Sequence, residues 1–272
     1  MMEIERIREL WRDETADRSA LQARVWDGAA ARFGTGAEPD FENNAFLRLV
    51  AETAAPDDGM AALDVGCGCG GYSLALARRV KRAVGVDISS EMLRHAEERK
   101  AETGMQNVAF HCLDWAKADI DALNFRGAFD IVFAHMTPAV TDFATFTKLD
   151  ACSRGWCFMR KPTRRRDPVL DAAFAALGLS SGGRALDDGI AYAFDYLWGT
   201  GRCPMVCYED TVWEGERTVE EMTSWCAARV GMRKDLTQAE TDRIAAAVAS
   251  AATNGVIRET STMTLVTMWW HV

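Results

Sequence analysis

The chain has 272 residues, 49% hydrophobic and 26% charged, with a formal net charge of −9. That composition supplies a sizeable core for one large α/β domain, or a core with a small cap, and excludes a disordered chain. Its acidity disfavours DNA or long RNA as a bulk partner, because such binders present a basic surface.

No apolar run approaches the roughly 20 residues that cross a bilayer, so no membrane partner is expected. The start, Met1 to Arg12, is charged and amphipathic and has no apolar signal core. Eight scattered cysteines in a chain this long call for no disulfide framework, which favours a reduced, cytoplasmic protein. Cys203 and Cys207 form a lone C-x3-C pair without a second pair at zinc-site spacing, so no metal site is expected.

In chain order, residues 3–33 read as helical, with Ile4, Ile7, Leu10 and Trp11 on one face and Leu21, Val25 and Trp26 on another. A break at 34–39 precedes a helix over 41–53 and a turn at 55–59. Strands and helices then alternate: strand 61–65, helix 71–79, strand 83–87, helix 89–102 capped by Ser89 or Ser90, and strand 108–112. Strand 129–134, helix 143–151 and strand 156–159 follow. Short apolar strands alternating with helices predict an α/β fold with a mostly parallel sheet covered on both faces. The second half is less regular, with helices at 167–177, 190–198, 218–230 and 237–253. Residues 259–261 and 264–270 read as a late strand returning to the sheet. The expected organisation is a helical lid over 1–55, a cofactor-binding core over 56–162, and a remainder of the same domain over 163–272.

The most informative stretch is Asp64-Val65-Gly66-Cys67-Gly68-Cys69-Gly70-Gly71, a strand end, a glycine turn and a helix start. Glycines let the backbone approach a ligand, and the helix start offers free N–H groups. Asp87 and Asp114 end the next two strands, so three carboxylates converge beyond the carboxyl ends of a parallel sheet, where ligands bind. Asp87 is placed to accept hydrogen bonds from two ribose hydroxyls, and Asp114 from an adenine amino group. Ile88 and Trp115 are placed to sandwich the purine. Gly66, Gly68 and Gly71 also match a dinucleotide fingerprint. Asp64 would crowd a pyrophosphate, however, and suits the cationic end of a cofactor with an amino-acid tail.

These motifs resemble those of class I S-adenosylmethionine-dependent methyltransferases. Residues 62–70 resemble the first motif, and Val84 to Ser89 with Met92 and Ala96 the second. Leu113-Asp114-Trp115 resembles the third, and Phe129-Asp130-Ile131-Val132 the fourth. The resemblance implies a doubly wound, seven-stranded Rossmann-like sheet with its last strand antiparallel. It implies S-adenosylmethionine as cofactor, held by Asp64, Gly66, Gly68, Asp87, Ile88, Met92, Asp114 and Trp115. Residues 25–33 are similar to the lid helix of members that act on small molecules.

Ala134 to Pro138 should border the transferred methyl. It lacks the Asn/Asp-Pro-Pro-Tyr of adenine-N6 and glutamine methyltransferases. His135, with an ordinary pKa near neutrality, is the candidate base. Tyr192, Tyr196, Trp198, Tyr208 and Trp213 are candidates to wall an acceptor pocket or to fill the core. The basic run Arg160 to Arg166 reads as a solvated loop or an anion site. The expected activity is methyl transfer to a small molecule. An RNA (tRNA) methyltransferase, an NAD-dependent oxidoreductase and a non-catalytic cofactor-binding subunit stay open as alternatives. The oligomeric state is unknown at this level.

Overall fold

Strand β1 (Ala61–Val65) is buried along its whole length, with parallel neighbours on both sides. Alternate side chains serve two cores: Ala61, Leu63 and Val65 face one cluster and Ala62 the other. A strand buried on both faces reads as an unbroken apolar run, which is why its ends match the prediction. The computed structural model describes residues 2–12, 18–34, 38–181 and 183–272, apart from the side chains of 183–187. The predicted break at 34–39 therefore lies partly outside the described residues, as does the middle of the predicted 3–33 helical region.

Around β1 stand β2 (Arg82–Asp87), β3 (Val108–Cys112), β4 (Phe129–His135), β5 (Ser153–Arg166), β6 (Met205–Thr218) and β7 (Val256–His271). The sheet order is β3-β2-β1-β4-β5-β7-β6. The pairs β1–β2, β2–β3, β1–β4 and β4–β5 are parallel, within a mixed seven-stranded sheet. The chain winds outward from β1 to β3 and then crosses back to β4. The order reverses between β1 and β4, and ligand crevices open at the carboxyl ends of strands flanking such a reversal.

Ten helices accompany the strands among the described residues. They are α1 (Ile4–Leu10), α2 (Ser19–Gly34), α3 (Ala45–Ala54), α4 (Gly71–Ala77) and α5 (Ser90–Thr103), then α6 (Phe143–Cys152), α7 (Pro168–Ala175), α8 (Gly183–Gly199), α9 (Val219–Gly231) and α10 (Gln238–Ser250). Caps set several starts. Asn44 accepts from the Leu47 N–H, so α3 begins four residues later than the predicted 41. Ser89, not Ser90, caps α5 through the Met92 N–H. Reciprocal capping boxes, Thr218 with Glu221 and Thr237 with Glu240, start α9 and α10.

The chain packs as two compact units. Unit one holds residues 1–161, 189–207 and 267–272; unit two holds 162–188 and 208–266. In unit one, Asp150 is a buried polar anchor, accepting from Trp270 Nε1 at 2.8 Å and Arg202 Nη2 at 2.8 Å. In unit two, α7, α9 and α10 share a core of Val169, Leu170, Phe174, Met222, Cys226, Val230, Ile244 and Val248.

Two predicted elements are corrected. The strand expected at 156–159 runs over 153–166, so the basic run is strand, not loop. Residues 205–218, read as irregular, form β6 at the edge of the sheet.

Candidate functional site

The loop after β1 takes left-handed backbone at Gly66 (φ 74°), Gly68 (φ 52°) and Gly70 (φ 77°), a region that side chains with a Cβ resist. At Gly66 the space is also taken, since an ideal Cβ would lie 1.9 Å from Thr137 Oγ1. The turns after β1 and β4 thus meet at the reversal point. Gly68 is the opposite case: a Cβ there would meet nothing within 4 Å, so its backbone faces open space.

Asp87, at the end of β2, accepts from the Gly68 N–H at 2.8 Å and the Ser89 N–H at 2.9 Å, one on each oxygen. Each oxygen keeps a second lone pair for a ligand hydroxyl. Burial pushes the Asp87 carboxyl up, against these backbone hydrogen bonds, and the nearby Asp27 carboxylate adds to the rise.

Asp64 is 3% exposed and lies behind the loop. Its Oδ2 accepts from Ser73 Oγ of α4 at 2.7 Å, tying the strand to the helix that the loop opens. Burial, with a further push from Asp87, raises its pKa to about 7.

Asp27 of α2 was not singled out by the sequence reading. Its Oδ1 accepts from Ser89 Oγ at 2.6 Å and from the Glu91 N–H at 3.1 Å, pinning α2 to the start of α5. Trp26, Ala29 and Ala30 of the same helix pack on Cys69 and Met92. The signal was present in Trp26-Asp27-Gly28, but the partner at Ser89 lies 62 residues away.

The structure sorts the remaining candidates. Ile88 and Asp114 lie at the ends of β2 and β3, half-exposed. Although burial opposes it, Ser19 and Lys117 hold the Asp114 carboxyl below its ordinary range; Lys117 Nζ is 3.3 Å away. Trp115 is 3% exposed and donates Nε1–H to the Thr145 carbonyl at 3.1 Å, so its ring belongs to the core rather than the open crevice. Met92 is buried against α2, 3.4 Å from the Cys69 sulfur.

His135 ends β4 with its ring against Tyr72 (centroids 4.0 Å) and Phe46 (4.6 Å). Burial, aided by the charge of Arg160, lowers its pKa to about 3, so the expectation of an ordinary pKa is corrected. The next residue, Met136, has φ 54°, a strained value for a residue with a side chain. Lys161, buried at the end of unit one's part of β5, donates to the carbonyls of Thr137 and Val140 and fixes this turn.

Of the proposed acceptor-pocket aromatics, Tyr192 and Tyr196 pack on Trp11, Phe143 and Phe146 beside the core, while Trp198, Tyr208 and Trp213 are exposed. Cys203 and Cys207 are exposed free thiols. Among the described residues no helix is long and apolar enough to cross a membrane.

Residues 56–165 match the sequence family described as "Methyltransferase domain". The chain contains an S-adenosylmethionine-dependent methyltransferase domain. It is 41% identical over 64 residues to human tRNA (uracil-5-)-methyltransferase homolog A, a match covering 24% of this chain and 10% of that protein. It is 30% identical over 136 residues to the ubiquinone biosynthesis O-methyltransferase of Leptothrix cholodnii, covering 48% of this chain and 56% of that protein. The chain thus spans a small fraction of the first relative and about half of the second. Among solved structures it is similar to Haemonchus contortus phospholethanolamine N-methyltransferase 2, in complex with phosphomonomethylethanolamine and S-adenosylhomocysteine. That likeness has a TM-score of 0.51 at 15% identity, covers 95% of this chain and 59% of that one, and shows the Rossmann-like fold.

S-adenosylmethionine is the cofactor of this domain family, and the residues present fit it. The three carboxylates Asp27, Asp64 and Asp87 suit a cationic ligand. Asp87 keeps acceptor capacity for a diol, and the open face of Gly68 leaves room at the backbone.

Proposed function

We propose that the chain transfers a methyl group from S-adenosylmethionine to a small-molecule acceptor. The observation that carries this reading is the open Gly68 backbone held by Asp87 within a matched methyltransferase domain. In this reading Asp87 holds the ribose, and the backbone of Gly66 and Gly68 lines the methionine side. Ile88 and Asp114 border the adenine, Met92 and the lid helix close over it, and Asp64 braces the loop from behind. Trp115 keeps the turn after β3 in place. The eight free thiols favour a reducing, cytoplasmic setting.

When bound, the cofactor supplies an electrophilic methyl on a sulfonium, a leaving group that needs no acid. The work left to the chain is to orient the acceptor in line and exclude water. Thr137, seated on Gly66 and held through Lys161, fixes the turn that borders the methyl. His135 is neutral at pH 7 and too weak a base to take a proton efficiently. Tyr72 beside it is pushed up by burial. Neither side chain serves as a base at pH 7, which favours an acceptor that attacks through an available lone pair, such as a neutral amine.

A second reading, transfer to RNA, draws on the matches to uracil methyltransferases, of which this chain spans 10% and 23%. The net charge of −9 weighs against it.

Calorimetric titration with S-adenosylmethionine, S-adenosylhomocysteine and NAD, on the wild type and Asp87→Ala, tests the cofactor. Saturable binding of the first two, weakened in the variant, is expected. Binding of NAD alone overturns the reading in favour of a dehydrogenase. A release assay for S-adenosylhomocysteine then compares phenolic, amine and thiol acceptors with short RNA. Turnover only with RNA removes the small-molecule part.

A further inference from the structure

The glycine loop and the turn after β4 meet where Gly66 abuts Thr137, and two polar rings flank that meeting point. Tyr72 is the second residue of α4, directly after the loop. His135 ends β4, two residues before Thr137. Their ring centroids are 4.0 Å apart, and Phe46 packs on both, 5.8 Å from Tyr72 and 4.6 Å from His135. Both polar rings are half-buried. No described group bonds either ring nitrogen of His135, and neither nitrogen is fully covered.

A helix cap sets the direction of the Tyr72 hydroxyl. Asn44 caps α3, and its Oδ1 accepts from the Leu47 N–H at 3.1 Å. The cap fixes the amide, so its NH2 faces the other way, and Nδ2 donates to the Tyr72 oxygen at 3.1 Å. A phenol oxygen that accepts from Asn44 has its own proton to give elsewhere. Among the described residues the Tyr72 hydroxyl makes no other hydrogen bond.

The two rings thus present a phenol O–H donor, an imidazole N–H donor and one imidazole lone pair, since His135 is neutral at pH 7. The complement of that set is a molecule with an accepting oxygen and an N–H or O–H. A phenol offers both, but it needs a base to lose its proton, and neither ring serves as one at pH 7. An amine that carries a carbonyl oxygen offers both and needs no base.

We propose that Tyr72 binds the methyl acceptor, its phenol donating to the carbonyl oxygen of a neutral amine whose N–H is received by His135. Asn44 acts through Tyr72 as a positioning residue. This assignment rests on the methyl-transfer reading and names the acceptor class for the same site.

Calorimetry on the full chain, alone and with S-adenosylhomocysteine, tests it with 2-aminoacetophenone, aniline and acetophenone. The first carries both groups, and each of the others lacks one. 2-Aminoacetophenone is expected to bind roughly tenfold more tightly than either. Tyr72→Phe should weaken it roughly tenfold, the effect of losing one hydrogen bond, and leave aniline unchanged. Asn44→Asp keeps the cap but puts a carboxylate oxygen where the NH2 stood. The phenol then donates inward, so this variant should bind as weakly as Tyr72→Phe at an unchanged melting temperature. The double variant should be no weaker. Asn44→Ser keeps the cap without inverting the polarity and should stay near the wild type. A merely structural role for Asn44 would not separate Asp from Ser.

Absence of saturable 2-aminoacetophenone binding at millimolar concentration overturns the assignment, as does equal binding of the three probes. Wild-type affinity in Tyr72→Phe removes Tyr72, and Asn44→Asp matching Asn44→Ser removes the positioning role. Failure of the methyl-transfer reading registers separately, as a wild-type protein that does not bind S-adenosylhomocysteine. It would strip the acceptor role from a site that still binds the probe.

Discussion

At the ends of β1 and β2, Asp87 adds to the burial that raises Asp64, and Asp27 adds to the burial that raises Asp87. In unit two, Arg165 of β5 and Arg233 just after α9 add to the burial that lowers Arg229. Both clusters press buried groups toward their neutral forms, the carboxylates upward and the guanidinium of Arg229 downward. Like charges held together out of water cost stability unless something of opposite sign arrives. The difference in sign teaches what each cluster waits for. The acidic one favours a positive group beside it, and the basic one a negative group.

Four substitutions sharpen or break this contrast. The largest effect is expected at Asp64. Its folded pKa of about 7 lies above the ordinary 3.8, so its stabilising contribution is complete below about pH 4 and is lost as the pH rises through about 7. Relative to Asp64→Asn, the wild type should lose as much as about 4 kcal/mol between those limits. Thermal melts across pH check this, and parallel profiles for the two proteins would show that burial does not strain the carboxyl.

Next is Asp87→Ala. It removes the acceptor for two backbone N–H groups and, in the proposed function, for two ribose hydroxyls. S-adenosylhomocysteine affinity should fall by about two orders of magnitude, at ~1.5–3 kcal/mol for each charged hydrogen bond. Wild-type affinity in this variant would remove Asp87 from the site.

Asp27→Ala should cost about 1–2 kcal/mol, in the range of a lost helix cap. Hydrogen exchange should rise in α2 and at the start of α5 and stay unchanged in unit two. Uniform loosening of the whole chain would contradict a local pin.

His135→Gln should have the smallest effect. An imidazole with a pKa of about 3 contributes no titration between pH 5 and 8, so turnover should stay within roughly tenfold and keep its pH profile. Loss of an inflection near neutral pH in the variant would restore His135 as a base.

The two regions also differ in how far their sequences disclose them. β1 and β3 match their predicted ends: full burial marks β1, and flanking turns mark β3, whose last two residues are exposed. β6 escaped notice because an edge strand with little burial on either face needs no apolar alternation, and its Glu209-Asp210 and Glu214-Gly215-Glu216 read as loop. β5 was cut short because Arg164, Arg165 and Arg166 suggest solvent, yet Arg165 is largely covered.

Within the candidate site, the turn at Gly66 and Gly68 was legible because its left-handed backbone calls for glycine, and Asp87 because it ends a regular strand. The placement of Trp115 was not, since sequence names a ring without giving its direction. The pKa of His135 was hidden for a related reason. It is set by burial and by Arg160, and among the groups that cover the ring are Tyr72 and Phe46, which come from 63 and 89 positions earlier (135 − 72 and 135 − 46).

Cys67 and Cys69 sit inside the glycine loop as buried thiols, and burial holds both above the ordinary thiol range. Alkylation and oxidation proceed through the thiolate, so both sulfurs are chemically silent while the loop is closed. Cys112, Cys203 and Cys207 lie at the surface and offer a reagent somewhere else to react. The loop thus carries its own reporters: a probe appears on Cys67 or Cys69 only as often as the turn breathes open, and slowing of that labelling by a ligand measures how firmly the ligand shuts it.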